Sequence, residues 1–226
     1  MVETIHLLSL EYAMKINVEI IKHALVHAPQ KIETLNEKEL VKKMILRRRL
    51  SRASRILINL AHTCEYKTGV MVYGSAYGEL TDTVSILESI KNEDTVSPTA
   101  FQNSVYNTAA SYHSIVEGNT SEILTLSCGD STSYNVMQQG ALSLLNEDEV
   151  FVSSIEAMNF NHVDVFNKCG LELEYGLGFT IRKTDKKANT EIDSTQQDGV
   201  PRSLSWMKNL YDACKAQDSV VVEIQL

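Results

Sequence analysis

The residues best placed to do chemistry lie at a sharp turn, Ser127-Cys128-Gly129, between an apolar run and a run with helical spacing. A nucleophile for acyl transfer is a thiol or hydroxyl held at such a strand–turn–helix junction, where unpaired N–H groups and the helix dipole stabilise negative charge. Cys128 supplies a thiol at this position. Asp130 puts a negative charge beside the thiol and equally suits a helix N-cap. The pattern therefore predicts either a nucleophile or a cysteine packed at a tight turn.

The sequence supplies no clear base or metal site to accompany this turn. None of the six histidines has metal-ligand spacing, and most are expected on the surface or in core hydrogen bonds. They are His6, His23, His27, His62, His113 and His162, of which His113 is closest to the turn along the chain. The cysteines form no C-x-x-C pair, so we expect Cys64, Cys169 and Cys214 to be buried as small hydrophobes. No metal and no cofactor are therefore expected.

Alternating strands and helices must position the turn. The clearest strand patterns are the apolar runs at Gly69–Gly74 and Val150–Ile155, followed by 171–183 and the closing segment SVVVEIQL. Helical spacing runs from Ile45 to Cys64, from Leu80 through Ile90, over SPTAF and TAASYHSI, after Asp130, and over Leu204–Cys214. The opening IHLLSL is a weak strand pattern, and 15–45 has no clear boundaries. The alternation predicts an α/β fold with layered helices around a mixed, largely buried sheet, and a mobile polar loop at about 183–201.

Composition and charge narrow the class of protein. The 226 residues are 43% hydrophobic and 22% charged, which is ordinary for a globular protein. The net charge of −8 argues against non-specific binding of nucleic acid. No apolar run is long enough to cross a bilayer, and the N-terminus is acidic where a secretory signal would be basic. We therefore expect a cytoplasmic protein that neither spans a membrane nor binds nucleic acid.

One basic run, KKMILRRRLSRASR at 42–55, departs from this acidic balance. It is read as a solvated helix face above buried apolar residues, as a docking site for an acidic protein, or as a nucleic-acid patch. The apolar residues beneath it would be Ile45, Leu46, Leu50, Ile56, Leu57 and Leu60.

Several segments resemble the ketosynthase branch of the thiolase superfamily, and more closely the short chain length factors of bacterial aryl polyene biosynthesis. The similar segments are RRRLSRASR (47–55), VYGSAYGEL (72–80), SPTAFQNSVYN (97–107), TAASYHSI (108–115), TLSCGDS (125–131) and EVFVSSIEA (149–157). The resemblance covers most of residues 45–160, and SPTAFQNSVYN is its most specific part. It implies a truncated thiolase-like fold, the N-terminal half of a ketosynthase, as a single domain over 1–226.

The resemblance also implies that the chain is not catalytic by itself. Ketosynthases use their nucleophile with two later histidines, in a His-Gly-Thr-Gly-Thr motif and a Gly-His motif, and neither motif occurs in these 226 residues. Without them nothing polarises the thioester carbonyl or assists malonyl decarboxylation. The register of the family's nucleophile position on this turn is ambiguous, since Ser127 or Gly129 could occupy it as well as Cys128. We therefore expect a degenerate nucleophile turn at these three residues, with no catalytic residue.

The implied partner is a complete ketosynthase, which would form a heterodimer with this chain in type II fatty acid- or polyketide-like synthesis. The strand Ser121–Ser127, with Ile123, Leu124, Thr125 and Leu126, would pair antiparallel with its mate across a two-fold axis. The segment Pro98–Asn107 would project toward the partner's acyl tunnel. Phe101 and Val105 would close the far end of that tunnel, with Tyr106 and Tyr112 nearby. Arg47, Arg48, Arg49 and Arg52 are weaker candidates for docking an acyl carrier protein.

Two other functions remain open from the sequence. The chain could be an autonomous acyltransferase or thioesterase that uses Cys128 or Ser127 with His113. It could instead be a module that binds an acyl carrier protein through the basic run, with no ketosynthase involved.

Overall fold

In a computed structural model, residues 14–159 and 170–226 are described here. The six strands are β1 (Lys15–Ala28), β2 (Met71–Gly74), β3 (Ile123–Leu126), β4 (Glu149–Ala157), β5 (Glu174–Lys183) and β6 (Val221–Gln225). The helices are α1 (Glu37–Leu40), α2 (Met44–Arg49), α3 (Arg52–Thr63), α4 (Leu80–Lys91), α5 (Pro98–Asn103), α6 (Thr108–Glu117), α7 (Thr132–Ser143) and α8 (Ser205–Ala216). Short 3₁₀ turns at Gly129–Ser131 and Arg202–Leu204 precede α7 and α8.

The strands form one mixed sheet in the order β3-β2-β4-β5-β1-β6. β2 pairs in parallel with both β3 and β4, and β5, β1 and β6 then follow by antiparallel pairing. Because the three parallel strands point the same way, the turns after β2, β3 and β4 share one edge of the sheet. The nucleophile turn predicted from the sequence lies at this edge.

Helices cover both faces of the sheet. On one face α3 and α6 bury Ile56, Leu57 and Leu60 against β4 and β5, and on the other α7 and α8 bury Val136, Met137 and Leu210. A Cβ added at Gly140 of α7 would lie 2.4 Å from the Val152 side chain, so this position has to be glycine for the helix to reach the sheet. The predicted α/β layering is confirmed.

The long helix predicted over Ile45–Cys64 is instead two helices. Leu50 and Ser51 have extended backbones, and the Ser51 hydroxyl caps α3 by accepting from the Ser54 N–H at 3.1 Å. α2 therefore turns away from the core. Ile45, predicted to lie beneath the basic face, is 69% exposed.

The strand β1 is absent from the sequence prediction. It lies within the stretch that showed no clear boundaries, and it pairs with β5 and β6 along its length. The weak strand pattern IHLLSL, as well as Cys169, His6 and His162, lie outside the described residues.

The polar loop between β5 and α8 is present but is fixed at several points rather than free. The Asn189 and Thr190 N–H groups both donate to the Val221 carbonyl of β6, and the Val221 N–H donates to the Asn189 side chain. Near the other end, the Asn209 amide of α8 donates to the Asp193 and Thr195 carbonyls. The loop thus covers the outer edge of β6.

Candidate functional site

Cys128 follows β3 at the shared edge of the parallel strands, and its side chain is exposed. Its backbone N–H donates to the Thr132 hydroxyl at 3.1 Å, and that hydroxyl donates to the Gly129 carbonyl at 2.7 Å. Gly129 has a φ of +56°, which favours glycine. The 3₁₀ turn places Cys128 before the first turn of α7 rather than within it. The chain therefore presents a thiol at a strand–turn–helix junction, as predicted.

His113, the base considered for this thiol, lies at the other end of the parallel strands. Its ring stacks on Tyr66, and Tyr66 stacks on Phe151 with centroids 4.7 Å apart. Phe151 is level with Met71 and thus with Ile123, at the start of β3. Cys128 lies five residues after Ile123. At roughly 3.3 Å per residue of extended chain, this puts Cys128 about 16 Å from the level of Ile123.

The surroundings of His113 are those of a core residue. Burial lowers the pKa of His113 to about 4, and its Nδ1 has no hydrogen-bond partner within the described residues. The structure therefore does not bring His113 to Cys128 or Ser127.

Among the other described histidines, His62 is exposed, whereas His27 and His23 contact neighbouring side chains. His27 contacts Glu172 and stacks on Tyr175, and His23 packs edge-on against Tyr211. Burial raises the pKa values of the Cys64 and Cys214 thiols to about 12 each. Over 14–159 and 170–226, no three His, Cys, Asp or Glu side chains are grouped to hold a metal ion.

The residues predicted to face a partner divide into exposed and buried groups. Phe101, Val105 and Tyr106 are 70%, 51% and 44% exposed. Tyr112 is buried instead, and its hydroxyl donates to the Asn103 side chain, which anchors α5 from below. Tyr112 thus supports the exposed segment from beneath α5, and it lines a pocket of about 220 Å³ together with Val105 and Ile115.

β3 is an edge strand, and the described residues place no strand on its outer side. Its four residues, Ile123, Leu124, Thr125 and Leu126, are each half-buried. A groove of about 440 Å³ runs beside it, lined by Ile123, Thr125 and Ile115 together with Asn107, Ser111 and Ser114. An apolar edge of this kind invites pairing with another strand.

The four arginines of the predicted docking set differ in their freedom. Arg48 and Arg49 are exposed, whereas the half-buried Arg47 donates to the Val41 and Lys42 carbonyls. Arg52 forms a bidentate pair with the fully buried Glu174, through two contacts of 2.6 Å. Arg52 is therefore not free to dock a partner, which corrects the predicted set.

Two buried carboxylates that sequence reasoning missed lie at the edge that carries the turn. Glu156 ends the apolar part of β4, and its oxygens accept from Ser75, Ala76, Tyr77 and Ser203. Burial raises the pKa of Glu156, and these hydrogen bonds oppose that rise. An acidic residue inside an apolar strand was the only sequence signal for it.

Glu79 is the second buried carboxylate, and it precedes α4. Burial raises its pKa to about 8, the Ser51 hydroxyl that donates to it at 2.7 Å opposes the rise, and the charge of Asp82 adds to it. Since the folded state holds the proton more tightly than an unfolded chain does, this contribution to stability is complete below pH 4.5 and is lost as pH rises to about 8.

We predict that Glu79→Gln raises the free energy of unfolding at pH 8 by a few kcal/mol, on the order of 1.4 kcal/mol per unit of the shift in pKa. At pH 4 the variant and the parent should differ little, because Glu79 is then protonated in both states. Urea unfolding across this pH range measures the effect, with Glu147→Gln at an exposed position as the control. Equal pH dependence in parent and Glu79→Gln would contradict the prediction.

Among known proteins, no curated sequence matches this chain. The family model described as beta-ketoacyl synthase, N-terminal domain, matches residues 24–221. Within the described residues, no helix is both long enough and apolar enough to span a membrane.

Several solved structures share the fold at low sequence identity. A structure of a ketosynthase in complex with its chain length factor from Xenorhabdus doucetiae superposes with a TM-score of 0.64 and 18% identity, over 83% of this chain and 88% of that one. The ishigamide ketosynthase/chain length factor superposes with a TM-score of 0.61 and 11% identity, over 76% of this chain and 63% of that one. A beta-ketoacyl synthase from Burkholderia phymatum superposes with a TM-score of 0.54 and 11% identity, over 76% of this chain and 60% of that one. This chain thus spans less than two thirds of the latter two.

These comparisons confirm the predicted fold, a layered α/β arrangement of the thiolase-like ketosynthase type. Since the family model matches residues 24–221, well over half of the chain, the chain belongs to the beta-ketoacyl synthase N-terminal domain family.

Proposed function

We propose that this chain is a non-catalytic chain length factor, which pairs with a complete beta-ketoacyl-ACP synthase and shapes the acyl tunnel of that enzyme. The observation that carries the proposal is the free apolar edge of β3, flanked by exposed apolar side chains. The Xenorhabdus doucetiae structure, in which a ketosynthase is bound to its chain length factor, supports the same role.

The exposed side chains give this edge the extent that a stable interface needs. An obligate interface usually buries more than about 2,000 Å² in total, which a strand of four residues cannot supply alone. Phe101, Val105, Tyr106 and Ile115 add large apolar side chains that the chain itself leaves uncovered. Residues 1–226 would act as one ketosynthase-like domain in this complex.

The geometry around Cys128 favours a partner subunit over an autonomous enzyme. The thiol has an exposed position but no histidine beside it in the described structure, since His113 lies at the far end of β3. The synthesis of aryl polyenes in the cytoplasm is the setting that the resemblance favours. An acyl carrier protein would be a second partner, with Arg48 and Arg49 as its accessible contacts.

We predict that Cys128→Ala leaves the condensation rate of the reconstituted complex within about threefold of the parent. Ser127→Ala should behave in the same way, because residues 14–159 and 170–226 place no histidine beside either group. In contrast, replacing the nucleophilic cysteine of the ketosynthase subunit should abolish condensation. The assay follows chain extension on the acyl carrier protein, with ketosynthases from neighbouring genes tested first.

A hundredfold loss on Cys128→Ala, with pairing intact, would overturn the proposal, since it equals about 2.7 kcal/mol of transition-state stabilisation. Stoichiometric acylation of the isolated chain by a thiol-reactive acyl probe would favour the acyltransferase alternative. Binding of a carrier protein with no affinity for any ketosynthase would favour the binding module instead.

A further inference from the structure

Glu156 joins three segments that are distant in sequence. Its Oε1 accepts from the Ala76 N–H at 2.8 Å and from the Ser203 hydroxyl at 2.7 Å. Its Oε2 accepts from the Ser75 hydroxyl at 2.9 Å and from the Tyr77 N–H at 3.2 Å. The carboxylate is fully buried, so its bonds are not exchanged for bonds to water.

Glu156 holds the turn at residues 75–77, which we call the root. After this root, residues 79–107 leave the sheet, carry α4 and α5, and return beside Gly78; we call them the excursion. No residue of α4 is buried, so the hydrophobic core fixes this excursion weakly. Where the chain returns, Tyr106 packs against the start of the excursion: its ring lies 3.1 Å from the position that a Cβ at Gly78 would have. Asn103 anchors α5 from the other side, through the Arg49 carbonyl and the Tyr112 hydroxyl, so the root and this second anchor together orient the excursion.

The Ala76 peptide links Glu156 to both ends of the candidate site. Its N–H donates to Glu156, while its carbonyl accepts from the Tyr106 hydroxyl at 3.3 Å and from the Ser127 hydroxyl at 3.5 Å. Tyr106 adjoins Val105, and Ser127 adjoins Cys128. The Ala76 backbone, whose N–H and carbonyl belong to two adjacent peptide groups, thus contacts Glu156 through the first group and both Tyr106 and Ser127 through the second.

We infer that Glu156 is a positioning residue, which orients the Phe101–Tyr106 segment relative to β3 through the Ala76 peptide. Any effect on product length rests on the proposed function, in which Phe101 and Val105 close the partner's tunnel. The orientation itself is a property of this chain.

The arrangement requires two acceptor oxygens, so glutamine is not a conservative replacement. Each oxygen of Glu156 faces one backbone N–H, from Ala76 or from Tyr77. A glutamine amide would turn its NH₂ group toward one of these donors in either orientation. Glu156→Gln should therefore release the root while keeping the volume of the side chain.

A matched control is available in Glu174, which is also fully buried and lies on the neighbouring strand. Its oxygens bind Arg52, the Ile32 N–H and the Asn159 side chain, none of which belongs to the excursion. Glu174→Gln thus disturbs a buried carboxylate of the same sheet that has no direct hydrogen bond to residues 75–107; its one indirect link is Asn159, whose carbonyl accepts from the Thr81 hydroxyl.

The test is hydrogen exchange of the full chain in its ketosynthase complex, together with the lengths of the products. Glu156→Gln should raise the exchange rates of amides 76–107 at least tenfold relative to those of β6, whereas Glu174→Gln should raise the exchange of 76–107 no more than that of β6. Tyr106→Phe removes only the hydroxyl that donates to the Ala76 carbonyl, and it should raise the exchange of amides 97–107 severalfold. This variant keeps the test decisive if Glu156→Gln fails to fold. The product lengths should broaden in Glu156→Gln while each condensation keeps its rate.

The exchange pattern decides the inference, and the product lengths decide the proposed function. The same pattern in the Glu156 and Glu174 variants, or unchanged exchange of 97–107 in Tyr106→Phe, overturns the positioning role. Raised exchange of 76–107 with unaltered product lengths supports the positioning role and contradicts the tunnel function of this segment.

Discussion

Thr125→Pro is expected to abolish pairing with a ketosynthase while the chain itself stays folded. In the parallel ladder, the Glu122 and Leu126 carbonyls accept from the N–H groups of Met71 and Ser75. Because successive residues of a strand alternate in direction, the N–H of Thr125 points to the free side of β3. A proline there removes a donor and adds a ring at the edge without breaking a bond to β2. Affinity should fall at least a hundredfold, or about 2.7 kcal/mol.

Two further variants separate edge pairing from general damage. Thr125→Val keeps the N–H group and should pair as the parent does. Leu124→Pro removes an N–H that faces β2, so it should lower the melting temperature of the chain. Thr125→Pro should lower the melting temperature less, because the N–H that it removes faces away from β2. Sedimentation or calorimetric titration of the two purified chains gives the affinities. Full pairing by Thr125→Pro would show that β3 is not the interface.

Replacing Phe101 or Val105 should change the length of the product rather than the rate of each condensation. A wall residue at the end of an acyl tunnel acts by steric exclusion, since the tunnel gains about 0.8 kcal/mol per buried methylene until the chain meets the wall. Phe101→Ala removes a ring that is 70% exposed in this chain and should lengthen the product by one or more extension units. Val105→Phe should shorten it, because overpacking costs typically 1–3 kcal/mol.

Mass analysis of products from reconstituted complexes gives the distribution of lengths for each variant. Lys187→Ala, in the polar loop beside β6, serves as a control that should leave the distribution unchanged. Unaltered lengths with reduced rates for both Phe101→Ala and Val105→Phe would mean that these side chains pack an interface and do not form a wall.

The elements that could be predicted from the sequence are those whose own segment carries a local hydrophobic pattern. The apolar runs of β2, β4 and β6, and the strand–turn–helix unit around Cys128, all lie where they were predicted because local periodicity determines them. β1 was missed because it carries charges along its length, such as Glu19, whose partners Arg182 and Lys186 are more than 160 residues away. Long-range pairs of this kind leave no periodic signal.

The same limit applies to the candidate site. Arg52 reads as an exposed docking residue until its partner Glu174, 122 residues away, is brought beside it by β5. Tyr112 likewise reads as a surface aromatic until α5 covers it. Exposure of Phe101 and Val105 followed from the resemblance, but the carboxylate that holds the root of their segment did not.

The two outer strands of the sheet differ in a way that bears on assembly. On β6, Asn189 and Thr190 occupy the backbone groups of Val221, whereas the described residues leave the outer side of β3 unoccupied. A sheet with two open ends can add strands without limit and grow into a fibre, but one that is blocked at one end can join only once. In the proposed heterodimer, the polar loop would block further pairing at Val221, so that a second chain added at β3 would complete the assembly instead of extending it.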